Sequence, residues 1–295
     1  MATAIAKAKT KEGSGGGRAV LSTGQKVVRG VISGLLILYT CITIFVIGAT
    51  LMNSFKTKSD LITNFIGIPK SFTLDSYLTI LTEDNFMLYF TNSLILTACG
   101  TVGCILLSTM VSYGLARYRF KGQGFLSAYF MIGMMVPIQV TIMPVFIILR
   151  TMGLLNTLQG LILIYISGIS MTSVVFQKFF ATIPTALEEA ARIDGCHDLR
   201  IFFQIILPIT KPTIATMALI TAIGEWNDFY MPMVLLGNEN VKTLTLAVYQ
   251  YTAQFTRYMC ESMAAVVITL IPIIVIYFAF SSQIMEGMTG GAVKG

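Results

Sequence analysis

Residues 184–212 read PTALEEAARIDGCHDLRIFFQIILPITKP. Thr185 can cap a helix that has Glu188 as its capping-box partner three residues on. Leu187, Ala190, Ala191 and Asp194 fall at helical spacing on one face, and Glu188 and Arg192 form an i,i+4 pair on another. Gly195 supplies the left-handed residue that stops a helix. Asp198 is placed to cap a second helix, which carries Ile201, Phe202, Ile205 and Ile206 and ends by Leu207-Pro208. The expected object is two short helices joined by a tight turn, with apolar sequence on both sides.

Those flanks decide the solvent. Apolar runs fall near 30–52, 89–114, 125–149, 158–180, 211–236 and 260–281. Each is close to the ~20 residues that cross a hydrocarbon core. The chain is 55% hydrophobic and only 12% charged, about half the charge of a soluble domain, so it could not clothe a globule of its length in polar groups. The fold class expected is all-α, a polytopic membrane protein of six transmembrane helices.

Orientation follows from the basic residues. With the N-terminus in the cytoplasm, Lys7, Lys9, Lys11, Arg18, Lys26, Arg29, Arg117, Arg119, Lys121, Lys178, Arg192, Arg200, Lys211 and Lys294 lie on or next to the inner side. Lys56, Lys58, Lys70, Arg150, Lys242 and Arg257 remain outside, and the bias selects this topology. Both termini are then cytoplasmic in a multi-pass protein of the cell membrane. The organisation expected is a basic tail (1–29), a six-helix membrane domain (30–281) with the 184–207 loop on its inner side, and a short tail (282–295). The first apolar run has no small-residue cleavage site after it and reads as a retained helix. The net charge of +6 is explained by this loop bias, without a nucleic-acid partner. A helix-turn-helix reading of 184–207 fails because the unit is tethered to the bilayer at both ends and has almost no spare basic residues.

No site of covalent or metal chemistry emerges. The five cysteines, Cys41, Cys99, Cys104, Cys196 and Cys260, lack a CxxC or Cys/His spacing and mostly sit in apolar runs. His197, the sole histidine, adjoins Cys196, but two ligands do not make a metal site. No nucleophile–base constellation supports a membrane enzyme. There is no GxxxxGK[ST] phosphate loop, so ATP hydrolysis is not expected on this chain.

Two intramembrane features stand out. Pro137 and Pro144 interrupt the third run, as static kinks or as bends that line a pathway. In the fifth run, Glu225, Trp226, Asn227, Asp228 and Tyr230 form a polar, aromatic patch. Glu225 lies 14 residues beyond Lys211, ~21 Å along a helix and so in the outer half of the bilayer. Ionisable groups at that depth commonly line a path. An aromatic ring between amide and carboxylate groups also suits a sugar, whose C–H faces stack on rings. Interfacial packing is the competing reading.

Glu189-Ala190-Ala191, then Asp194-Gly195, then Ile205-Ile206-Leu207-Pro208 resembles the EAA motif of the permeases of binding-protein-dependent ABC importers. The run Trp226-Asn227-Asp228-Phe229 resembles the fifth span of the carbohydrate-type permeases. So do the terminal Gly291-Ala292-Val293-Lys294-Gly295 and the first outer loop, with Phe55-Lys56-Thr57-Lys58 and Thr73-Leu74-Asp75-Ser76-Tyr77. These are similar to the group that includes the smaller permease subunit of the maltose transporter.

The resemblance implies the type I ABC importer permease fold and a sugar as cargo. It implies a coupling helix in which Glu188, Glu189, Ala190, Ala191, Asp194, Gly195, Leu207 and Pro208 serve ATPase coupling, with Glu189 paired to a basic residue of the ATPase. The partners implied are a second permease subunit, two cytoplasmic ATPase subunits holding ATP and Mg, and an extracytoplasmic solute-binding protein. The segment 237–258, with Asn238, Asn240, Tyr249, Gln250, Tyr251 and Gln254, would reach toward that binding protein. An ion-coupled secondary transporter using Glu225 and Asp228, or an ABC permease for a polyol or glycerol phosphate, are the alternatives.

Overall fold

The computed structural model describes residues 23–82 and 85–292, with side chains described as far as 278. Most of the proposed 1–29 tail and residues 293–295 lie outside the described residues. The chain divides into two units, residues 1–49 and 50–295. The first contains most of α1 (Thr23–Asn53), which begins seven residues before the expected span. From Val31 to Met52 it is predominantly apolar on all sides, the pattern of a helix in lipid, while Gln25, Lys26 and Arg29 stand in its first turns.

Among the described residues, the second unit's regular structure is helical, with no strand. Two short helices, α2 (Lys58–Thr63) and α3 (Asp75–Thr82), precede the long α4 (Phe86–Arg117). There follow α5 (Gln123–Gly133), α6 (Ile138–Thr151), α7 (Leu158–Ser167) and α8 (Ser170–Thr182). The loop comprises α9 (Ala186–Ile193), α10 (Asp198–Ile201), a π turn (Phe202–Ile206) and α11 (Leu207–Ile209). Then come α12 (Lys211–Trp226), α13 (Tyr230–Leu235), a 3-10 turn (Glu239–Val241), α14 (Leu244–Ala253) and α15 (Met259–Ala292). α15 runs eleven residues past the expected end of the sixth span at 281.

Among the described residues, four helical stretches are long and apolar enough to cross a membrane, or up to six where each of two bent pairs counts as one crossing. The third crossing is interrupted, as its two prolines led one to expect. α5 and α6 meet at 105°. The break comes at Pro137, which lacks the amide hydrogen needed to extend α5, whereas Pro144 lies inside α6 without ending it. The loop helices meet α12 at 78°, at Thr210. The fifth span also ends early: α12 stops at Trp226, and α13 starts only at Tyr230.

α4 is the hub, packed against α7, α8 and α12. Two glycines let it approach α7: a β-carbon on Gly100 would fall 2.8 Å from Cβ of Tyr165, and one on Gly103 2.5 Å from Ile166. Small residues allow this in membranes, where close backbone packing replaces the hydrophobic drive. The turn into α7 is closer still. Asn156 takes positive φ (61°) and its side chain accepts from the Gly237 amide, while its own amide donates to Leu235 O. A β-carbon on Gly160 would collide with the backbone carbonyl of Leu154, an atom that cannot rotate away. Gly160→Ala should therefore cost about 1–3 kcal/mol by overpacking, seen as a lower melting temperature in detergent. An unchanged melt would mean that the turn at 152–157 relaxes freely.

Candidate coupling loop and translocation cavity

The loop at 184–210 has the expected outline but different internal bonds. Gly195 does take the left-handed conformation (φ +81°). The capping box at Thr185 does not form: Thr185 is itself helical and its side chain caps nothing. The second helix is capped by His197, whose Nδ1 accepts from the Arg200 amide at 3.0 Å, in place of Asp198. Asp198 instead pairs with Arg192 at 3.2 Å, in solvent, where such a pair contributes little. The helix does not end at Leu207-Pro208 either. A π turn over Phe202–Ile206 carries it on to Ile209, with Pro208 at a position that needs no amide donor.

The largest correction concerns Glu188. Its expected partner, Arg192, is engaged elsewhere, and Glu188 is 3% exposed. The carboxylate lies 2.7 Å from Nε of Arg117, the last residue of α4, and accepts from the Tyr113 hydroxyl at 3.3 Å. Arg117 also donates from Nη2 to the carbonyl of Ile183 at 2.7 Å. Ala191 points into the same core with Ile201, Phe202 and Ile206, and the Tyr113 ring contacts those of Phe180 and Phe202. Burial and the Asp198 carboxylate push the Tyr118 phenol above its ordinary value. The outer surface of α9 and its C-cap carries Ala186, Leu187, Glu189, Ala190, Arg192, Ile193 and Asp194, with Ile193 87% exposed. Pro208 is exposed as well and Leu207 half-buried. The expected face of Leu187, Ala190, Ala191 and Asp194 is thus split, with Ala191 inside and the rest outside.

The second site is a cavity of about 330 Å³. Three helix breaks meet on it: Ile138 just after Pro137, Gly168 between α7 and α8, and Asp228 between α12 and α13. Cys104, Tyr165, Thr221 and Glu225 complete its polar rim. Glu225 accepts from the Thr101 hydroxyl at 3.0 Å. Asp228 accepts from the Tyr165 hydroxyl at 3.0 Å, and its other oxygen takes the amides of Tyr230 and Met231, starting α13. Trp226 is not on this cavity. It is 4% exposed, edge-on to Phe90 at 5.8 Å, and its indole donates to Thr269 O. Asn227 turns outward and donates back to Ile223 O, while Tyr230 is half-buried off the cavity lining. Of the five residues expected to line a path, the structure brings together Glu225 and Asp228.

Sequence reasoning missed the partners that hold these groups: Arg117, Tyr113, Thr101 and Tyr165. It also missed a clamp at the opposite end of α4. Buried Asn92 donates to the carbonyls of Asn240 and Lys242, both at 3.0 Å, and Ser93 Oγ accepts from the Leu244 amide at 2.8 Å. Tyr89 donates to Glu239, which also pairs with Lys242; that pairing holds the Glu239 carboxyl below its ordinary value. Asn92→Ala should free two buried carbonyls at about 1–3 kcal/mol. Amide exchange across 238–246 should then speed up, and unchanged exchange would contradict the clamp. Beside it a hollow of about 310 Å³ is bordered by Glu239, Gln250, Tyr251, Gln254 and Tyr258.

A hub helix, a projecting loop and a polar cavity at converging helix breaks define a membrane transport subunit. The family whose sequence pattern matches residues 105–288 is the binding-protein-dependent transport system inner membrane component, and the chain belongs to it, as the permease of an ABC importer. It is 33% identical to the probable starch degradation products transport system permease protein AmyC of Thermoanaerobacterium thermosulfurigenes, over 83% of this chain and 89% of that one. It is 32% identical to the diacetylchitobiose uptake system permease protein NgcG of Streptomyces coelicolor, over 88% and 87%. Among solved structures, a bacterial ABC transporter involved in the import of the acidic polysaccharide alginate has a chain of the same fold. Its TM-score is 0.78 at 22% identity, covering 89% of this chain and 98% of that one.

Proposed function

We propose that this permease carries a neutral sugar or oligosaccharide, in a complex with a second permease subunit, two cytoplasmic ATPase subunits and an extracytoplasmic solute-binding protein. ATP and Mg reside on the ATPases. The observation that carries the coupling role is the division of labour on α9, with Glu188 and Ala191 locked inward and Glu189, Ala190 and Asp194 presented outward. The outward face sets the Glu189 and Asp194 carboxylates beside Ala190 and the apolar Leu187 and Ile193. Such a surface suits docking, since the apolar groups can be covered by a partner and a carboxylate fixes register through a charged hydrogen bond. The loop faces the cytoplasm by the basic-residue bias, and the segment 237–258 faces the binding protein, its hollow bordered by amide and phenol groups. ATP-driven closure of the ATPases moves the loop, and the access side of the cavity changes with it.

A neutral cargo is supported by the cavity's chemistry. Its lining holds two carboxylates and a phenol and no lysine or arginine, whereas a phosphate would favour cations. Relatives named for starch degradation products, diacetylchitobiose and arabinooligosaccharides point to the same cargo class. The test is to purify the complex by a tag on this chain and measure ATPase activity against a panel of sugars with the binding protein. Stimulation requiring both binding protein and a neutral saccharide is expected. Stimulation by glycerol phosphate alone would overturn the cargo assignment.

A further inference from the structure

We propose that Arg117 and Glu188 are positioning residues that fasten the coupling loop to α4, so that α4 carries the movement of the loop to the cavity and the outer segment. The inference rests on the proposed docking of α9 onto an ATPase.

An eight-residue helix is not stable on its own, so a load applied to α9 passes only through whatever holds it. The Arg117 guanidinium grips α9 through Glu188 and the strand of chain entering it through Ile183 O. Both side chains are nearly sealed from water, at 7% and 4% exposure. A buried pair adds little net stability over an apolar one, but it fixes geometry, and losing one partner is severe. The pair therefore sets where α9 sits more than how stable the protein is.

From Arg117, α4 runs 32 residues without a proline or a break, about 48 Å. Cys104 of α4 lines the cavity and Thr101 donates to Glu225 on its wall, and Asn92 and Ser93 meet the outer segment 240–244. Every other helix lining the cavity is interrupted there, at residues 134–137, 168–169 or 227–229. Among the described residues, α4 is thus the one continuous element touching the loop, the cavity and the outer segment.

The experiment measures sugar transported per ATP hydrolysed by the reconstituted complex, together with ATPase subunits retained per permease. The variants are Glu188→Ala, Glu188→Gln and the double Arg117→Ala/Glu188→Ala, which leaves no orphaned charge. The ratio should fall roughly tenfold or more in the alanine and double variants, the scale of a coupling free energy, with ATPase retention unchanged. Glu188→Gln should recover part of it, because it keeps the side-chain length and an oxygen for the Tyr113 hydroxyl while leaving the Arg117 charge without its counter-ion. A ratio in the double variant equal to that of the unaltered protein overturns the inference, as does loss of the ATPase, which would make the pair part of docking. Failure of the docking reading itself is read separately, from a Glu189→Lys complex that keeps its ATPase and its coupling.

Discussion

Glu189→Lys is expected to release the ATPase subunits and end ATP-driven uptake, while leaving the permease folded. Glu189 is exposed, so the substitution removes no internal contact. A lysine in the first turn of α9 opposes the helix dipole by only about 0.3–1 kcal/mol. Reversing one member of a desolvated charge pair at an interface costs about 2–5 kcal/mol, roughly thirty- to several-thousand-fold in affinity. The effect should therefore appear in ATPase retained on a tagged permease and in uptake, with the melting temperature little changed. Full retention with normal uptake would remove Glu189 from the interface.

Asp228→Ala should have the largest effect on folding. One carboxylate oxygen holds the amides of Tyr230 and Met231 and the other holds the Tyr165 hydroxyl. Alanine strands two backbone donors and a phenol, at about 1–3 kcal/mol for each buried group left unpaired. It also uncaps α13 next to the break that opens the cavity. Asp228→Asn keeps an acceptor for the amides, and its NH₂ can donate to the rotatable Tyr165 hydroxyl, so it should melt near the unaltered protein. Thermal unfolding of the two variants in one detergent decides this. Equal melting of Asp228→Ala and the unaltered protein would show that α13 is held by other contacts.

The features legible in the sequence were those governed by local rules. Apolar runs located the crossings, Pro137 marked the break in the third, and Gly195 marked the turn of the loop, because each acts through its own backbone or its neighbours' hydropathy. The errors share one cause. Local spacing gives Thr185, Glu188 and Asp198 their nearest partners, whereas in the fold the Thr185 side chain caps nothing, Arg117, 71 positions away, takes Glu188, and Arg192 pairs with Asp198. Trp226 looked like a stacking platform because its neighbours are polar. The end of α12 turns it inward onto Phe90 and Thr269. The clamp of Asn92 on residues 240 and 242 spans about 150 positions and has no sequence signature.

In the proposed function, ATP hydrolysed on a partner, acting through the 184–210 loop, drives transport through this chain. The direct measurement is uptake of a labelled saccharide into proteoliposomes holding the purified complex, with binding protein on the outer side. ATP on the loop side is supplied or withheld, and a proton or sodium gradient is imposed separately. Uptake is predicted to require ATP and binding protein together and to ignore the gradient. Uptake driven by the gradient without ATP would contradict the account and make Glu225 and Asp228 the coupling groups of a secondary carrier.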